Sequence, residues 1–486
     1  MFPIRFQRLR EFETAAGEVL WASLVLVLTS SVLIGCKAVA PELQMEQVAG
    51  MAPSGWSASK SARAGLDKEW VSSFKDKQLK ILVAEAIQRN PDMRVAAERV
   101  YQAQRAAYVA GADGRPSVVA EVKGDRSKRQ FVGMPFDGSS TQNGSYADLR
   151  VQWELDLWGR IRAGQSAAMA EAQSAGFDQS ASEVALAGQV CKAWFALCES
   201  NEQLAMAREV VRIRSSSVDA IEDRFANSLG EDGATGSQLR LAQTDLASAE
   251  ATVAQRESEV KLSQSRLEVL CGRYPSAQVA GRKQLSKVPT PPPSGIPSEV
   301  MMRRPDLQAA ERRYAAAVAR EEEAQRAMFP IIALTGSTGT ASDALEQIVN
   351  NSFSTWSLGA SVTQNIFLGG RIRGERDIRS SKLRSAMAEL EGSVLKAFQE
   401  VENSLMLDHW LKRRMVSLDK ASKLAVDAAE SADQEYIDGT GDLLTLLAAQ
   451  SRAVELTSQV LVLKRMQLDN RVDLHMALGG DFRIQP

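Results

Sequence analysis

The chain has 486 residues and carries 58 Lys and Arg against 60 Asp and Glu, for a formal charge of −2. This balance gives no basic surface of the kind that binds nucleic acid, so nucleic acid is excluded as an expected partner. Only two histidines occur, His409 and His475, and their separation fits no metal-binding motif, so we expect no metal and no cofactor. Aromatic residues make up 6% of the chain, which argues against a thick globular core.

The N-terminus is predicted to be a targeting segment. Three arginines within the first ten residues precede an apolar run over 19–34, which ends at Gly35-Cys36. Such a run before a small residue is typical of a signal peptide, and the following cysteine resembles a bacterial lipoprotein box. We predict a signal peptide over 1–35 and lipid attachment to Cys36, and Lys37 in place of an aspartate favours the outer membrane. The alternative is an uncleaved membrane anchor.

Short helices and a β-hairpin are predicted next. After a mixed lead-in over 36–75, apolar residues keep helical spacing up to Pro116, with a new helix start at Pro91. Beyond Pro116 the apolar period changes to two, which indicates strands. A loop rich in Gly, Ser, Asp and Asn is predicted over about 124–145, inside a hairpin over about 117–157.

The chain then becomes helical over a long stretch. No proline occurs from 163 to 227, and glycines cluster over 229–236, so we predict a helical hairpin over about 163–272. This hairpin closes a first repeat over 76–272. Prolines cluster in the linker over 273–297, which makes that segment extended and unable to form helix.

The second half repeats the order of the first. Pro91 and Pro305 stand 214 residues apart, Arg160 and Arg371 stand 211 apart, and the ends of the two long helical segments stand about 208 apart. A period of this length is too long for a solenoid of small repeats and indicates one unit used twice.

The second repeat is predicted over 298–482, before a C-terminal tail over 483–486. It holds short helices, a hairpin over about 331–367 and a long helical hairpin over about 371–479. The predicted fold class is α+β and mostly α, with two pseudo-repeats that each contain a β-hairpin and a long antiparallel helical hairpin.

The predicted strands have one apolar and one polar face, as residues 149–156 show most clearly. No apolar run beyond the N-terminus is long enough for a membrane helix, so any further membrane span must be built from strands. Strands in a bilayer must form a closed sheet, and four strands are too few to close. Insertion therefore predicts an oligomer that shares one barrel, and the alternative is a soluble sheet packed on helices.

Several segments together resemble the outer-membrane factor family, the TolC-like and OprM-like channel lipoproteins of tripartite efflux systems. The resemblance covers about 70–482. It implies a trimer whose twelve strands form one β-barrel that continues into a periplasmic α-barrel of twelve helices. It also implies a periplasmic adaptor and an inner-membrane transporter as partners. The matching segments are 157–162, 295–311 (GIPSEVMMRRPDLQAAE), Tyr436 with Gly439-Thr440, and 477–480.

The same resemblance implies a gate at the turn between the last two long helices. Tyr436 stands at the family's tyrosine position, but Thr445 and Ala448 replace its acidic residues. Asp438 and Asp442 could supply a negative ring instead, or could act as turn and helix-cap residues. We expect closure by leucine packing more than by charge. The gate candidates are Tyr436, Asp438, Asp442, Leu443, Leu444, Thr445, Leu446, Leu447 and Ala448, and the adaptor-contact candidates are Gly230, Gly439 and Thr440.

Two other classes of function remain as alternatives. A lipid-anchored periplasmic coiled-coil scaffold without channel activity would share the lipoprotein box and the long helices, but it would not need strict alternation in the strands. An enzyme is a weaker reading because no nucleophile–base pair, phosphate loop or metal cluster stands out in the sequence.

Overall fold

The computed structural model describes residues 39, 52–58, 70–131, 133, 138–227, 235–295 and 297–480. The predicted signal peptide, the lipidation site Cys36 and the adaptor-contact candidate Gly230 lie outside these residues. The chain divides into two compact units. A strand unit comprises Met1–Pro41, Tyr108–Ala167 and Glu322–Ile372, and a helical unit comprises Glu42–Ala107, Ala168–Glu321 and Arg373–Pro486.

The strand unit contains one antiparallel sheet. Its strands are β1 (Ser117–Phe131), β2 (Gly138–Glu154), β3 (Ile331–Ser342) and β4 (Ser354–Thr363), in the order β1-β2-β3-β4. Short 3-10 turns at Leu345–Gln347 and Asn351–Phe353 join β3 to β4. The hairpins of the two repeats therefore pair through β2 and β3 in one sheet, and β1 and β4 form its edges.

The predicted loop over 124–145 is wrong for most of its length. The β1–β2 ladder continues from Gly124 opposite Ser145 to Phe131 opposite Gly138. Backbone hydrogen bonds extend both strands here, although the small and polar side chains lack the apolar alternation that identifies a strand in the sequence. The hairpin is therefore longer than its apolar pattern suggests.

The register gives the sheet one apolar face. Residues directly opposite in an antiparallel ladder point to the same side, and residues two apart along a strand share a side. Val118 lies opposite Val151, Val151 opposite Gly336, and Gly336 opposite Leu358. What we call the apolar face comprises Val118, Ala120 and Val122 of β1, Leu149, Val151 and Trp153 of β2, Ile332 and Leu334 of β3, and Trp356, Leu358, Ala360 and Val362 of β4.

Eight α-helices lie within the described residues. They are α1 (Lys77–Arg89), α2 (Pro91–Ala112), α3 (Arg160–Asn227), α4 (Gly236–Leu270), α5 (Pro297–Arg303), α6 (Pro305–Arg326), α7 (Arg371–Ile437) and α8 (Leu443–Ala477). Asp76 caps α1 by accepting hydrogen bonds from the backbone N–H groups of Gln78 and Leu79. Thr235 and Gln238 form a capping box that begins α4. None of the described helices has the length and apolar character needed to cross a membrane.

The two repeats end in the same local structure. Gly272 follows α4 with a φ of 70°, and Gly479 follows α8 with a φ of 72°. Each glycine packs on the backbone just before a repeated proline: Gly272 on Arg89, and Gly479 on Arg303 and Arg304. Gly272 and Gly479 are equivalent and 207 residues apart, which refines the predicted spacing of about 208.

The main core of the helical unit joins both repeats. Buried side chains from the turn at Trp70–Phe74, from α1, α3 and α4, and from Leu468 and Val472 of α8 form one apolar cluster. Among the described residues, Cys191, Cys198 and Cys271 are buried and free. Burial raises the pKa of each thiol, which disfavours the nucleophilic thiolate.

His475 lies against this core, and its burial predicts that the stability of the fold depends on pH. It is 3% exposed, stacks on Trp70 with ring centroids 5.5 Å apart, and has no hydrogen-bond partner for either ring nitrogen among the described residues. Burial and the nearby Arg471 lower the pKa of His475 from 6.5 to about 4. The folded state therefore takes up this proton less readily than the unfolded state.

We expect the free energy of unfolding to fall as the pH drops from 6.5 to 4, by up to about 3 kcal/mol from His475. Asp469 opposes this change, because burial raises its pKa to about 6 and its protonation favours the folded state between pH 6 and 4. The His475→Phe variant keeps an aromatic ring against Trp70 but has no group to titrate. Denaturant unfolding of both proteins at pH 7 and pH 4.5 should show a greater acid loss in the wild type. Equal losses would contradict this assignment.

Candidate functional site

The candidate gate lies at the turn between α7 and α8. The backbone N–H groups of Thr440 and Gly441 each donate to the Glu435 carbonyl at 2.9 Å, which closes the end of α7. Gly439 has a φ of 75° and no atom within 4 Å of where a Cβ would lie, so its backbone angle explains the glycine. Gly439 and Thr440, two of the adaptor-contact candidates, are exposed side by side at this turn.

Asp442 is the N-cap of α8. Its carboxylate accepts hydrogen bonds from the backbone N–H groups of Leu444 at 2.8 Å and Thr445 at 3.0 Å, and from the Thr445 hydroxyl at 2.5 Å. The hydroxyl and backbone hydrogen bonds of Thr445 lower the pKa of Asp442 below its usual value. Of the two roles that the sequence left open, the structure supports helix capping.

The capping role predicts how two substitutions will differ. Asp442→Asn keeps a capping oxygen and should leave stability and channel conductance unchanged. Asp442→Ala removes the cap and should lower the free energy of unfolding by about 1 kcal/mol. Conductance and cation selectivity are measured in planar bilayers, and stability is measured by thermal unfolding. Together these measurements distinguish a helix-capping role of Asp442 from a role of its charge in the channel. A loss of cation selectivity in both variants would instead support a negative ring.

The other polar candidates also have local roles. Asp438 is exposed and accepts a hydrogen bond at 2.9 Å from Nε2 of Gln434 in the last turns of α7. Thr445 bonds to Asp442, and Ala448 is exposed with no polar group to contribute. Asp438 and Asp442 thus each accept hydrogen bonds within their own helix end.

The leucines of α8 separate into two faces. Leu443 is 2% exposed, Leu446 is 2% exposed and Leu447 is 7% exposed, whereas Leu444 is 65% exposed. Helical spacing explains the difference, because 443, 446 and 447 share one side of the helix and 444 does not. In a single copy Leu444 therefore does not share the buried face of the other three leucines, and its part in the gate stays a prediction.

Leu443 and Leu447 pack on the other long helical hairpin of the same chain. We call their cluster with Val218 and Ile221 of α3 and Ala242 of α4 the tip cluster. Tyr436 packs against it, and the Arg224 guanidinium lies 4.9 Å from the Tyr436 ring centroid in a cation–π contact. These contacts fasten the end of α7 to the end of α3.

Sequence reasoning missed Arg224 and the apolar pair Val218 and Ile221. The spacing of this pair near the end of α3 was a usable signal, because it indicates a buried side just before the turn. Arg224 offered no such signal, because it contacts a residue more than two hundred positions away.

An open groove lies beside the tip cluster, within the helical unit. Its cavity measures about 320 Å³ and lies between α3, α7 and α8. Arg214, 6% exposed, donates to Gln450 at 2.6 Å and to Ser451 at 3.3 Å at its base. The lining combines apolar and acidic groups, namely Val210, Ile213, Val426, Ala429, Glu430, Asp433, Ala453 and Val454.

Comparison with known proteins gives a consistent result. The family model described as outer membrane efflux protein matches residues 82–273 and 296–480. The outer membrane protein OprJ of Pseudomonas aeruginosa is 30% identical over 464 residues, covering 94% of this chain and 95% of OprJ. The cation efflux system protein CusC of Escherichia coli O6:H1 is 27% identical over 421 residues, covering 85% of this chain and 88% of CusC.

Solved structures show the same fold. The outer-membrane channel OprN has a TM-score of 0.82 and 27% sequence identity, covering 91% of this chain and 99% of that chain. The open state of the Neisseria gonorrhoeae MtrE outer membrane channel has a TM-score of 0.78 at 24% identity, which bears on the fold alone.

Proposed function

Because the chain belongs to the outer membrane efflux protein family, we propose that three copies of it assemble into one channel that works with a periplasmic adaptor and an inner-membrane pump. Family membership makes the chain an outer-membrane channel component of an efflux system. It also places the protein in the bacterial outer membrane, extending into the periplasm. The scaffold alternative loses its basis, because the relatives are channels.

The observation that carries the trimer proposal is a sheet with two open edges. Among the described strands of one copy, β1 pairs only with β2 and β4 pairs only with β3. Such edges expose unpaired backbone groups, which lipid does not tolerate. Because β1 and β4 run in opposite directions, β4 of one copy can pair antiparallel with β1 of the next. Four strands from each of three copies would close a barrel of twelve.

The exposed helices support the same joining. In α2 only Ala107 is buried, and the helix exposes Val95 (49%) and Tyr101 (52%). In α7, Trp410 is 54% exposed and Val416 is 73% exposed. The helix that precedes β1 and the helix that follows β4 thus both expose apolar side chains in a single copy. When one side of each copy contacts the other side of the next, the copies form a ring if the rotation from copy to copy adds up to a full turn.

A cross-linking experiment tests this arrangement. Ala120 of β1 and Ala360 of β4 both lie on the apolar face, so Ala120→Cys and Ala360→Cys place thiols on the two edges. A bis-maleimide reagent long enough to tolerate a register offset should give a ladder that ends at the trimer. Each single-cysteine variant is the control and should give no ladder above the dimer. A double variant that stays monomeric, or a ladder that continues past the trimer, would contradict the closed ring.

The tip cluster is proposed as the gate. Tyr436, Leu443 and Leu447 would hold the tunnel closed by packing on α3 and α4. Leu446 is buried on the same side of α8, and Thr445 donates hydrogen bonds to the N-cap residue Asp442. Asp438 and Ala448 would lie at the tip without forming a latch. In this proposal apolar packing closes the tunnel, and the Asp438 and Asp442 carboxylates stabilise the ends of α7 and α8.

The adaptor is proposed to contact the exposed turn and the adjoining groove. Gly439 and Thr440 are exposed at the turn, and Gly230 occupies the corresponding place in the sequence of the first repeat, between α3 and α4. The groove around Arg214 offers apolar and acidic groups to a helical tip that carries basic side chains. We also propose the domain bounds given above and lipid attachment at Cys36.

A further inference from the structure

Two cations stand out on the apolar face of the sheet. Arg126 and Lys128 share the side of β1 that holds Val118, Ala120 and Val122, because all five positions are separated by even numbers of residues. The register continues this side through Asn143 and Thr141 of β2. Among the described strand residues, no other charged side chain occupies this side.

The cations on the opposite side lie in a different environment. There Arg150 pairs with Glu121 at 3.0 Å and with Asp148 at 2.5 Å, and Asp125 adds a further carboxylate. Arg126 and Lys128 are both exposed, and neither forms an ion pair with any residue that the structure describes. Their charge is therefore available to an external anion, because the described residues on this side of the sheet include no carboxylate.

Their height along the strand suggests where that anion lies. Arg126 is eight residues beyond Val118, or roughly 26 Å along a strand that rises about 3.3 Å per residue. A strand tilt of about 40° reduces this distance to roughly 20 Å along the membrane normal, and Lys128 lies about 5 Å further out. The apolar band of membrane barrels is about 25 Å tall. Both cations thus reach the outer edge of the band, at the end of β1 that leads into the hairpin turn and away from α2.

We propose that Arg126 and Lys128 bind a phosphate group of the phosphorylated glycolipid in the outer leaflet of the outer membrane. This inference rests on the proposed function, which inserts the hairpins in the bilayer. The two residues are about 7 Å apart along one side of the strand, so both side chains can converge on one phosphate. The phosphate would lie at headgroup depth while the acyl chains cover Val118, Ala120 and Val122. The three copies of a ring would carry three such sites.

The test compares variants on the two sides of β1. Arg126→Gln with Lys128→Gln removes the proposed site, and Lys123→Gln with Arg129→Gln removes two cations from the opposite side of the same strand. The full-length proteins are purified in detergent and titrated with purified lipid A, and binding is followed by native mass spectrometry. We expect about 30-fold weaker binding for the first variant, equivalent to about 2 kcal/mol at about 1 kcal/mol per cation, and unchanged binding for the second.

Two further ligands identify the chemistry. Lipid A with both phosphates removed should bind the wild type as weakly as lipid A binds the Arg126→Gln, Lys128→Gln variant. Phosphatidylglycerol should bind less tightly than lipid A. Equal binding of dephosphorylated lipid A would overturn the phosphate contact, and equal binding of phosphatidylglycerol would overturn the assignment to the outer-leaflet glycolipid.

Conductance of the same samples separates this inference from the proposed function. If the wild type forms channels and both variants bind lipid A as tightly as the wild type does, only the proposed glycolipid site is wrong. If the wild type forms neither trimers nor channels, the membrane assignment of the hairpins is wrong.

Discussion

Combined replacement of Tyr436 and Leu443 by alanine should open the channel. Tyr436 supplies the ring that contacts Arg224, and Leu443 is 2% exposed within the tip cluster. Removing the leucine alone should cost about 3 kcal/mol of local packing, and losing the cation–π contact adds about 1 kcal/mol. Because these contacts join α7 and α8 to α3 and α4 of the same copy, their loss should let the tip separate.

We expect a severalfold rise in single-channel conductance in planar bilayers, with trimer mass unchanged. Leu444→Ala is the matched control, because Leu444 is the same residue type one position away and is 65% exposed. It should conduct like the wild type. If the double variant conducts no better than Leu444→Ala, the tip cluster does not hold the gate closed.

Gly272→Ala should be the most destabilising single methyl addition that we consider. An alanine Cβ would lie 2.6 Å from the Arg89 carbonyl oxygen, and the φ of 70° is itself unfavourable for a residue with a side chain. The clash is with backbone, so no side-chain rotation relieves it. Together these effects should lower the free energy of unfolding by about 3 kcal/mol.

Two other glycines calibrate this result. Gly479→Ala should act in the same direction with a smaller clash, because its nearest contacts are at 3.1 Å. Gly176→Ala should stabilise slightly, by up to about 1 kcal/mol, because it is helical and has no atom within 4 Å of its Cβ position. Denaturant or thermal unfolding in detergent ranks the three variants. A Gly272→Ala protein as stable as Gly176→Ala would show that the close approach is not maintained.

Gly272 and Gly479 belong to the sequence patterns that predicted the two repeats. An Arg-X-Pro pattern, at Arg89–Pro91 and at Arg303–Pro305, and a glycine at the end of each repeat mark one contact made twice. Gly272 packs against Arg89, and Gly479 packs against Arg303. Helix lengths and the two hairpins were also readable, because they depend on local periodicity and on glycine and proline. The family prediction is confirmed by the match over 82–273 and 296–480.

Features that depend on specific hydrogen bonds or on contacts between helices could not be predicted from the sequence. The extended β1–β2 ladder has exposed polar side chains, so its strands are defined by backbone pairing and not by apolar alternation. Asp442 could have been a charge or a cap, and only its hydrogen bonds to Leu444 and Thr445 distinguish the two. The contact of Arg224 with Tyr436 requires knowing that α3 and α7 end together.

The most direct test of the central claim is a combined measurement on the purified, detergent-extracted protein. Native mass spectrometry gives the number of copies, and single-channel recording of the same sample in planar bilayers gives its conductance. A trimeric mass with discrete channel openings is the result that the shared sheet of three copies predicts. A monomer, or an oligomer of another size without conductance, would contradict it.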